Sequence, residues 1–205
     1  MMKLTLDTNC IIDLEKNGPD AVFLNQLVEP NNKDKVRLGV AAISGAEKQL
    51  GGRYLDNFLE FKNLLKILHL EDADILKPIA EADLAFADFC VVPDEDMVEL
   101  ERRIHQVLFP MVEFDYQAYR ARRNLAPDSL DTSWRNHRCD VLAMWCHIQY
   151  KRDIFVTRDR NFHKQSKKSQ LVHLGAKEIL APYEIAARVP LGARPLPKGP
   201  WPELG

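Results

Sequence analysis

The sequence predicts an α/β protein with a mainly parallel central sheet. Short runs of strand-forming residues recur at 3–6, 36–41 and 153–157, and segments with the period of an amphipathic helix lie between them. The first and third runs lead to an acidic residue, Asp7 and Asp159. In a parallel sheet the carboxyl ends of the strands share one edge, which is where ligands bind. Both acidic residues are therefore candidates for a site at that edge.

The individual elements follow from apolar spacing and from breaker residues. Leu4 and Leu6 alternate with polar residues, as in a strand. Pro19 fits the first turn of a helix, and the helix 133–151 directly before the strand 154–157 forms half of a right-handed βαβ unit. The predicted elements in chain order are strand 3–6, helices from Cys10 and over 19–28, strand 36–41, a helix carrying Glu47 and ended by Gly51 and Gly52, helices 54–70, 75–89, 94–109, 114–123 and 133–151, strands 154–157 and 175–180, and helix 182–188.

Length and composition favour a single globular domain. The chain has 205 residues, 46% of them hydrophobic and 28% charged, which is enough for one sizeable core. No apolar run is long enough to cross a bilayer and the start lacks the apolar core of a signal peptide, so we expect a cytoplasmic protein without membrane segments. The four cysteines lack metal or redox spacing, so we expect reduced thiols.

The net charge of −2 conceals two segments of opposite charge. Residues 71–101 contain eleven acidic residues against one lysine, whereas residues 151–170 contain seven basic residues against two acidic ones. A charged run is usually a solvated face. The basic segment nevertheless surrounds Asp159, which suits a polyanionic substrate.

Four acidic residues stand out, and each also has an ordinary structural explanation. Asp7 is placed to cap the first helix. Glu47 lies three residues after Ser44, which is the spacing of a capping box. Asp140 and Asp159 could likewise cap a helix and a turn. A chance meeting of all four at one sheet edge is much less probable than any single capping role.

The order and context of these acids resemble the PIN-domain family of metal-dependent ribonucleases. The matching stretches are Leu6-Asp7-Thr8-Asn9, Ser44-Gly45-Ala46-Glu47, Asp140 at the head of an apolar helix, Val156-Thr157-Arg158-Asp159-Arg160-Asn161-Phe162, and Gly175 to Glu184. The resemblance covers roughly residues 3–70 and 133–188. It implies a PIN-like three-layer α/β/α domain over 1–188, with a helical insertion at 71–132 and a Pro-rich tail at 189–205. Asn161 stands where many relatives carry a further acid.

The resemblance also implies an activity, namely hydrolysis of RNA phosphodiester bonds by an endoribonuclease. Asp7, Glu47, Asp140 and Asp159 would be catalytic metal ligands, because clustered carboxylates repel one another unless a cation lies among them. Oxygen ligands favour Mg²⁺ or Mn²⁺, and no His or Cys spacing suggests zinc. Asn9 and Thr157 would hold the carboxylates by hydrogen bonds. The candidates for phosphate contact are Arg138, Arg158 and Arg160.

The expected partners are RNA, a second copy of the chain in a homodimer, and a small antitoxin, because the commonest bacterial and archaeal relatives are toxins of toxin–antitoxin pairs. Two alternatives stay open at this point. One is a PIN-like module that binds nucleic acid or protein without catalysis. The other is a phosphatase or related hydrolase of small molecules, which the basic segment around Asp159 disfavours.

Overall fold

The computed structural model describes residues 1–29, 34–47, 54–126 and 130–189. Its centre is one sheet of five parallel strands in the order β3-β2-β1-β4-β5. The strands are β1 (Met2–Leu6), β2 (Val36–Ala41), β3 (Asp74–Leu76), β4 (Ile154–Val156) and β5 (Glu178–Leu180). The predicted α/β class with a parallel sheet is confirmed.

Helices cover both faces of the sheet. They are α1 (Thr8–Lys16), α2 (Ala21–Val28), α3 (Phe58–Ile67), α4 (Glu95–Leu108), α5 (Tyr116–Arg123), α6 (Thr132–Gln149), α7 (Arg160–His163), α8 (Gln165–Leu171) and α9 (Pro182–Arg188). Helices α1, α2, α3 and α9 contribute to one hydrophobic cluster, and α4 to α8 contribute to the other. This arrangement is consistent with the predicted PIN-like three-layer fold.

The period of two in the strands distributes side chains between these two clusters. Leu4, Leu6 and Ile154 pack with α1, α2 and α3, whereas Phe155 packs with α6. Thr5 is fully buried on the α6 side, where its hydroxyl lies 3.0 Å from Nδ1 of His147. The alternation that predicted strands therefore also determines which helices each strand contacts.

The helix predicted over residues 75–89 is wrong. Ile75 instead lies in β3 and pairs with Val40 of β2. Pro78 lies two residues after the strand and has no backbone N–H, so it disfavours a helix through this segment. From there to α4 the chain forms turns, with one bridge between Ile79 and Val91. The segment 71–132 thus supplies an edge strand as well as the predicted α4 and α5.

The helix predicted to carry Glu47 is also different in the structure. Residues Ala42–Ala46 form a short 3₁₀ turn, and Glu47 follows it in extended conformation. Gly51 and Gly52, which were predicted to end that helix, and residues 190–205 of the predicted Pro-rich tail lie outside the described residues. Within the described ranges, no helix is both long and apolar enough to span a membrane.

Candidate active site at the carboxyl edge of the sheet

Asp7 follows β1 directly and lies at the centre of a hydrogen-bond network. It is the N-cap of α1, and one of its oxygens accepts a 2.8 Å hydrogen bond from the backbone N–H of Thr8. Its other oxygen accepts from the Thr157 hydroxyl at 2.6 Å and from the Asn9 amide at 2.5 Å. Asp7 is only 2% exposed. The capping role expected from the sequence and a place in the acidic site therefore coexist.

Thr157 links the two acidic residues that follow β1 and β4, Asp7 and Asp159. Its hydroxyl donates to Asp7 and accepts from the Asn9 amide at 2.9 Å and from the backbone N–H of Asp159 at 3.0 Å. One donor and two lone pairs are thereby all used. The hydrogen bonds predicted from Asn9 and Thr157 to an acidic side chain are present, and they fix the carboxylate of Asp7 in one orientation.

Glu47 reaches the site from the end of the 3₁₀ turn after β2. The Thr8 hydroxyl donates to Oε1 of Glu47 at 2.5 Å and lies 2.9 Å from the Ser44 hydroxyl. Ser44 lies inside the 3₁₀ turn rather than at a helix N-cap, so the capping box considered for Ser44 and Glu47 is not formed. Thr8 is a site residue that was not predicted from the sequence, because its contact with Glu47 joins residues 39 positions apart.

Asp140 and Asp159 are positioned by different secondary-structure elements. Asp140 lies in the interior of α6 and does not cap it; Asp131 is the N-cap and accepts a hydrogen bond from the Trp134 N–H at 2.9 Å. Asp159 follows β4 and caps the short helix α7 by accepting from the N–H of Asn161 at 2.8 Å. The capping explanation thus fails for Asp140 and holds for Asp159.

Three of the four carboxyl groups have a raised pKa, and the charge of Asp159 contributes to each of these shifts. The pKa of Asp7 is raised to about 6, mainly by burial and also by the charge of Asp159. The hydrogen bonds from Thr157, Thr8 and Asn9 oppose this rise. Burial raises the pKa of Glu47 to about 8, with contributions from Asp7 and Asp159. The pKa of Asp140 lies well above its ordinary value because of burial and because of the other three acids. Mutual repulsion within one cluster is therefore a property of this site.

The donor set suits a hard divalent cation, although the side chains are not arranged around a common point. Among the residues that the structure describes, no three His, Cys, Asp or Glu side chains already have the geometry of a metal site. The pKa values of Asp7, Glu47 and Asp140 are nevertheless raised. A cation among the carboxylates would favour their ionised forms, and carboxylate oxygens are the ligands that Mg²⁺ and Mn²⁺ prefer. The residues present therefore fit such an ion by their chemistry.

The three arginines proposed for phosphate contact have different environments. Arg138 is 2% exposed, and its guanidinium donates to Glu101 and, at 2.7 Å, to Glu81. This burial contradicts the predicted phosphate contact of Arg138. Arg158 is exposed and lies 3.3 Å from Asp13, and Arg160 is also exposed, so their role in substrate binding stays a prediction.

Asn161 does not extend the acidic cluster. Its amide N–H₂ lies 3.4 Å from the carbonyl of Leu108, and its amide oxygen accepts from Lys167 at 2.5 Å. The side chain thus ties α7 to α8 and to the end of α4. The acidic site in the described residues consists of the four predicted acids, held by Asn9, Thr157 and Thr8.

No protein-family model matches this chain, and no curated protein matches it.

Proposed function

We propose that this protein is a metal-dependent endoribonuclease of the PIN type, with Asp7, Glu47, Asp140 and Asp159 as its metal ligands. The observation that supports the proposal most strongly is that burial and the neighbouring carboxylates raise the pKa values of Asp7, Glu47 and Asp140 at the carboxyl edge of a parallel sheet. Buried carboxylates that repel one another reduce stability, and a cation offsets that cost. A scaffold without catalysis has no physical need for such a cluster.

Bound Mg²⁺ or Mn²⁺ would supply an activated water and neutralise charge on the phosphoryl oxygens. The protein's own contribution is orientation. Thr157 and Asn9 hold the same oxygen of Asp7, and the Thr8 hydroxyl holds Oε1 of Glu47. Ligands fixed in this way lose little freedom when the site fills, which favours both ion affinity and alignment.

The experiment compares the full-length wild type with Asp7→Asn on a labelled single-stranded RNA, in Mn²⁺ and in chelator. We expect Mn²⁺-dependent fragments from the wild type and a loss of about a hundred-fold or more in rate for Asp7→Asn, because the central ligand loses its charge. Asp88→Asn is the matched control, since Asp88 is exposed and distant in sequence from the site.

Two results would decide against the nuclease. Mn²⁺ binding that depends on the four acids, without cleavage of RNA or DNA, would support the non-catalytic binding module instead. Cleavage that persists unchanged in Asp7→Asn would assign the activity to a contaminant.

Growth arrest on expression of the wild type, but not of Asp7→Asn, would identify the toxin of a cytoplasmic toxin–antitoxin pair.

A further inference from the structure

Helix α6 presents a narrow polar strip that leads from its N-terminal end to the acidic cluster. Ser133 and Asn136 are exposed, and Asp140 is half-buried. Spacings of three and four residues place these side chains on one side of the helix. On the opposite side of α6, Trp134, Arg138 and the apolar residues around them are buried. The strip is therefore the part of α6 that a ligand can reach on its way to Asp140.

A tyrosine and an arginine flank the strip on the side of Glu47. The guanidinium of Arg135 lies over the ring of Tyr54, with 4.3 Å between Cζ and the ring centroid. Arg135 also donates to the carbonyl of Ala46 at 3.1 Å, and Ala46 directly precedes Glu47. Both side chains are half-buried. We call this pair the Tyr54 station.

A second aromatic and cationic group flanks the strip on the side of Asp159. The imidazole of His137 lies against Phe109, with 4.1 Å between ring centroids and 32° between ring planes, and Nζ of Lys167 lies 5.8 Å from the centre of the Phe109 ring. His137 precedes Asp140 by three residues on α6. Lys167 donates to the amide oxygen of Asn161, and the backbone N–H of Asn161 donates to the carboxylate of Asp159. All three side chains are half-buried. We call this group the Phe109 station.

We infer that a single-stranded RNA crosses the acidic cluster along α6, with one base on the Tyr54 station and another on the Phe109 station. The inference rests on the proposed function for the identity of the polymer. It adds the residues that hold the strand on either side of the cut, and it gives the segment 71–132 a role, because Phe109 comes from that segment.

The composition of the stations explains why the strand is single. An aromatic ring beside a cation stacks on a base and neutralises the adjoining phosphate, and bases offer their faces only when they are unpaired. Within the described residues, the contacts of each cation account for only some of its N–H donors. An ammonium has three N–H groups, and those of Lys167 that the structure accounts for contact Leu108 and Asn161. A guanidinium has five, of which Arg135 directs one at Ala46.

The test measures the affinity of the full-length protein for a short fluorescein-labelled single-stranded RNA by fluorescence anisotropy, in chelator so that no cleavage occurs. Tyr54→Leu and Phe109→Leu keep an apolar side chain but remove the ring face, and we expect each to weaken binding about ten-fold. Arg135→Gln and Lys167→Gln should each weaken binding about five-fold and lower the slope of log affinity against log salt by about one unit.

Matched controls come from the other face of the sheet. Tyr183 on α9 is 54% exposed, and Lys66 lies exposed on α3. Tyr183→Leu and Lys66→Gln should bind as the wild type does, within two-fold. Circular dichroism and thermal melting check that each variant folds, and Lys167→Gln tests the Phe109 station if Phe109→Leu does not fold.

Three results would overturn the inference: station variants that bind within two-fold of the wild type, control variants that lose as much affinity as the station variants, or equal affinity for the same sequence in duplex form. The two proposals fail separately. RNA binding that needs both stations, without any cleavage in Mn²⁺, would retain the strand path and reject the nuclease. Cleavage that needs Asp7 but neither station would do the reverse.

Discussion

Arg138 and Asp140 are two residues apart on α6, and each belongs to a different cluster of buried charged side chains. Arg138 projects from the side that packs against α4 and pairs with Glu101 and Glu81. Its guanidinium also lies 4.7 Å from the centre of the Phe114 ring. Asp140 projects toward Asp7, Glu47 and Asp159, which all raise its pKa. One cluster contains its own counter-charge, and the other consists of like charges.

The difference separates a structural role from a functional one. A buried arginine between two glutamates fixes how α4 packs on α6. Burial raises the pKa of Glu101, and the positive charge of Arg138 opposes that rise. Carboxylates that repel one another in a buried cluster destabilise the folded state, and a cation offsets that cost. Buried charge by itself is thus weak evidence for a functional site, whereas buried charge of one sign is stronger evidence.

Removal of the counter-charge should give the largest effect on stability. We expect Arg138→Met to lower the free energy of unfolding by about 3–5 kcal/mol, because it leaves Glu101 buried without its partner. Chemical denaturation measures this change. Arg138→Met combined with Glu101→Leu should recover most of the loss. Arg102→Met is the control, since Arg102 is exposed and pairs with Glu99 at 4.0 Å. A loss below 1 kcal/mol for Arg138→Met would show that the pair is not a structural requirement.

His147 offers a third kind of buried group, one that stays neutral. Its Nε2–H donates to the Ala176 carbonyl at 2.8 Å, so Nδ1 accepts from Thr5. Burial lowers its pKa from 6.5 to about 4. Because the unfolded state takes up the proton first, stability should fall as the pH decreases from 6.5 to 4, by about 3 kcal/mol.

The measurement for His147 is the difference between wild type and His147→Gln in chemical denaturation across this pH range. The variant should be less stable at neutral pH, because glutamine cannot reproduce both hydrogen bonds, and its stability should depend less on pH. Parallel pH profiles for the two proteins would mean that His147 is protonated equally in the folded and unfolded states.

Removal of one charge from the acidic cluster should have the opposite sign to removal of Arg138. A folded-state pKa of about 8 means that ionisation of Glu47 costs stability as the pH rises from 4.5 to 8. We therefore expect Glu47→Gln to raise the free energy of unfolding by about 1–3 kcal/mol at pH 8 in chelator, and the gain to vanish near pH 4. The amide oxygen can still accept from Thr8.

The same variant tests the cation. Mn²⁺ should raise the melting temperature of the wild type more than that of Glu47→Gln, so the order of stability reverses when Mn²⁺ is added. Glu71→Gln is the control, because Glu71 is exposed. A wild type that is already the more stable protein in chelator at pH 8 would contradict mutual repulsion in this cluster.

The sequence was informative where a local pattern is compatible with only one type of secondary structure. Period-two alternation identified β1 and β2, and helical spacing identified α4 and α6, because each pattern matches the geometry of one element. It was misleading at residues 75–89, where apolar spacing suits a helix but pairing with β2 makes Ile75 a strand residue. It was also misleading for Arg138, since a basic residue beside Asp140 is equally compatible with a substrate and with a buried ion pair.

By itself, the sequence determined that acidic residues follow strands of a parallel sheet and that Asn9 and Thr157 stand beside them. Only the tertiary structure decided that Thr8 holds Glu47, that Arg138 faces away from the site, and that Tyr54 and Phe109 lie on either side of α6. The physical reason is distance along the chain. Caps, strands and helices depend on neighbours a few residues apart, whereas side-chain contacts such as those of Thr8 with Glu47 and Arg135 with Tyr54 join residues that only folding brings together.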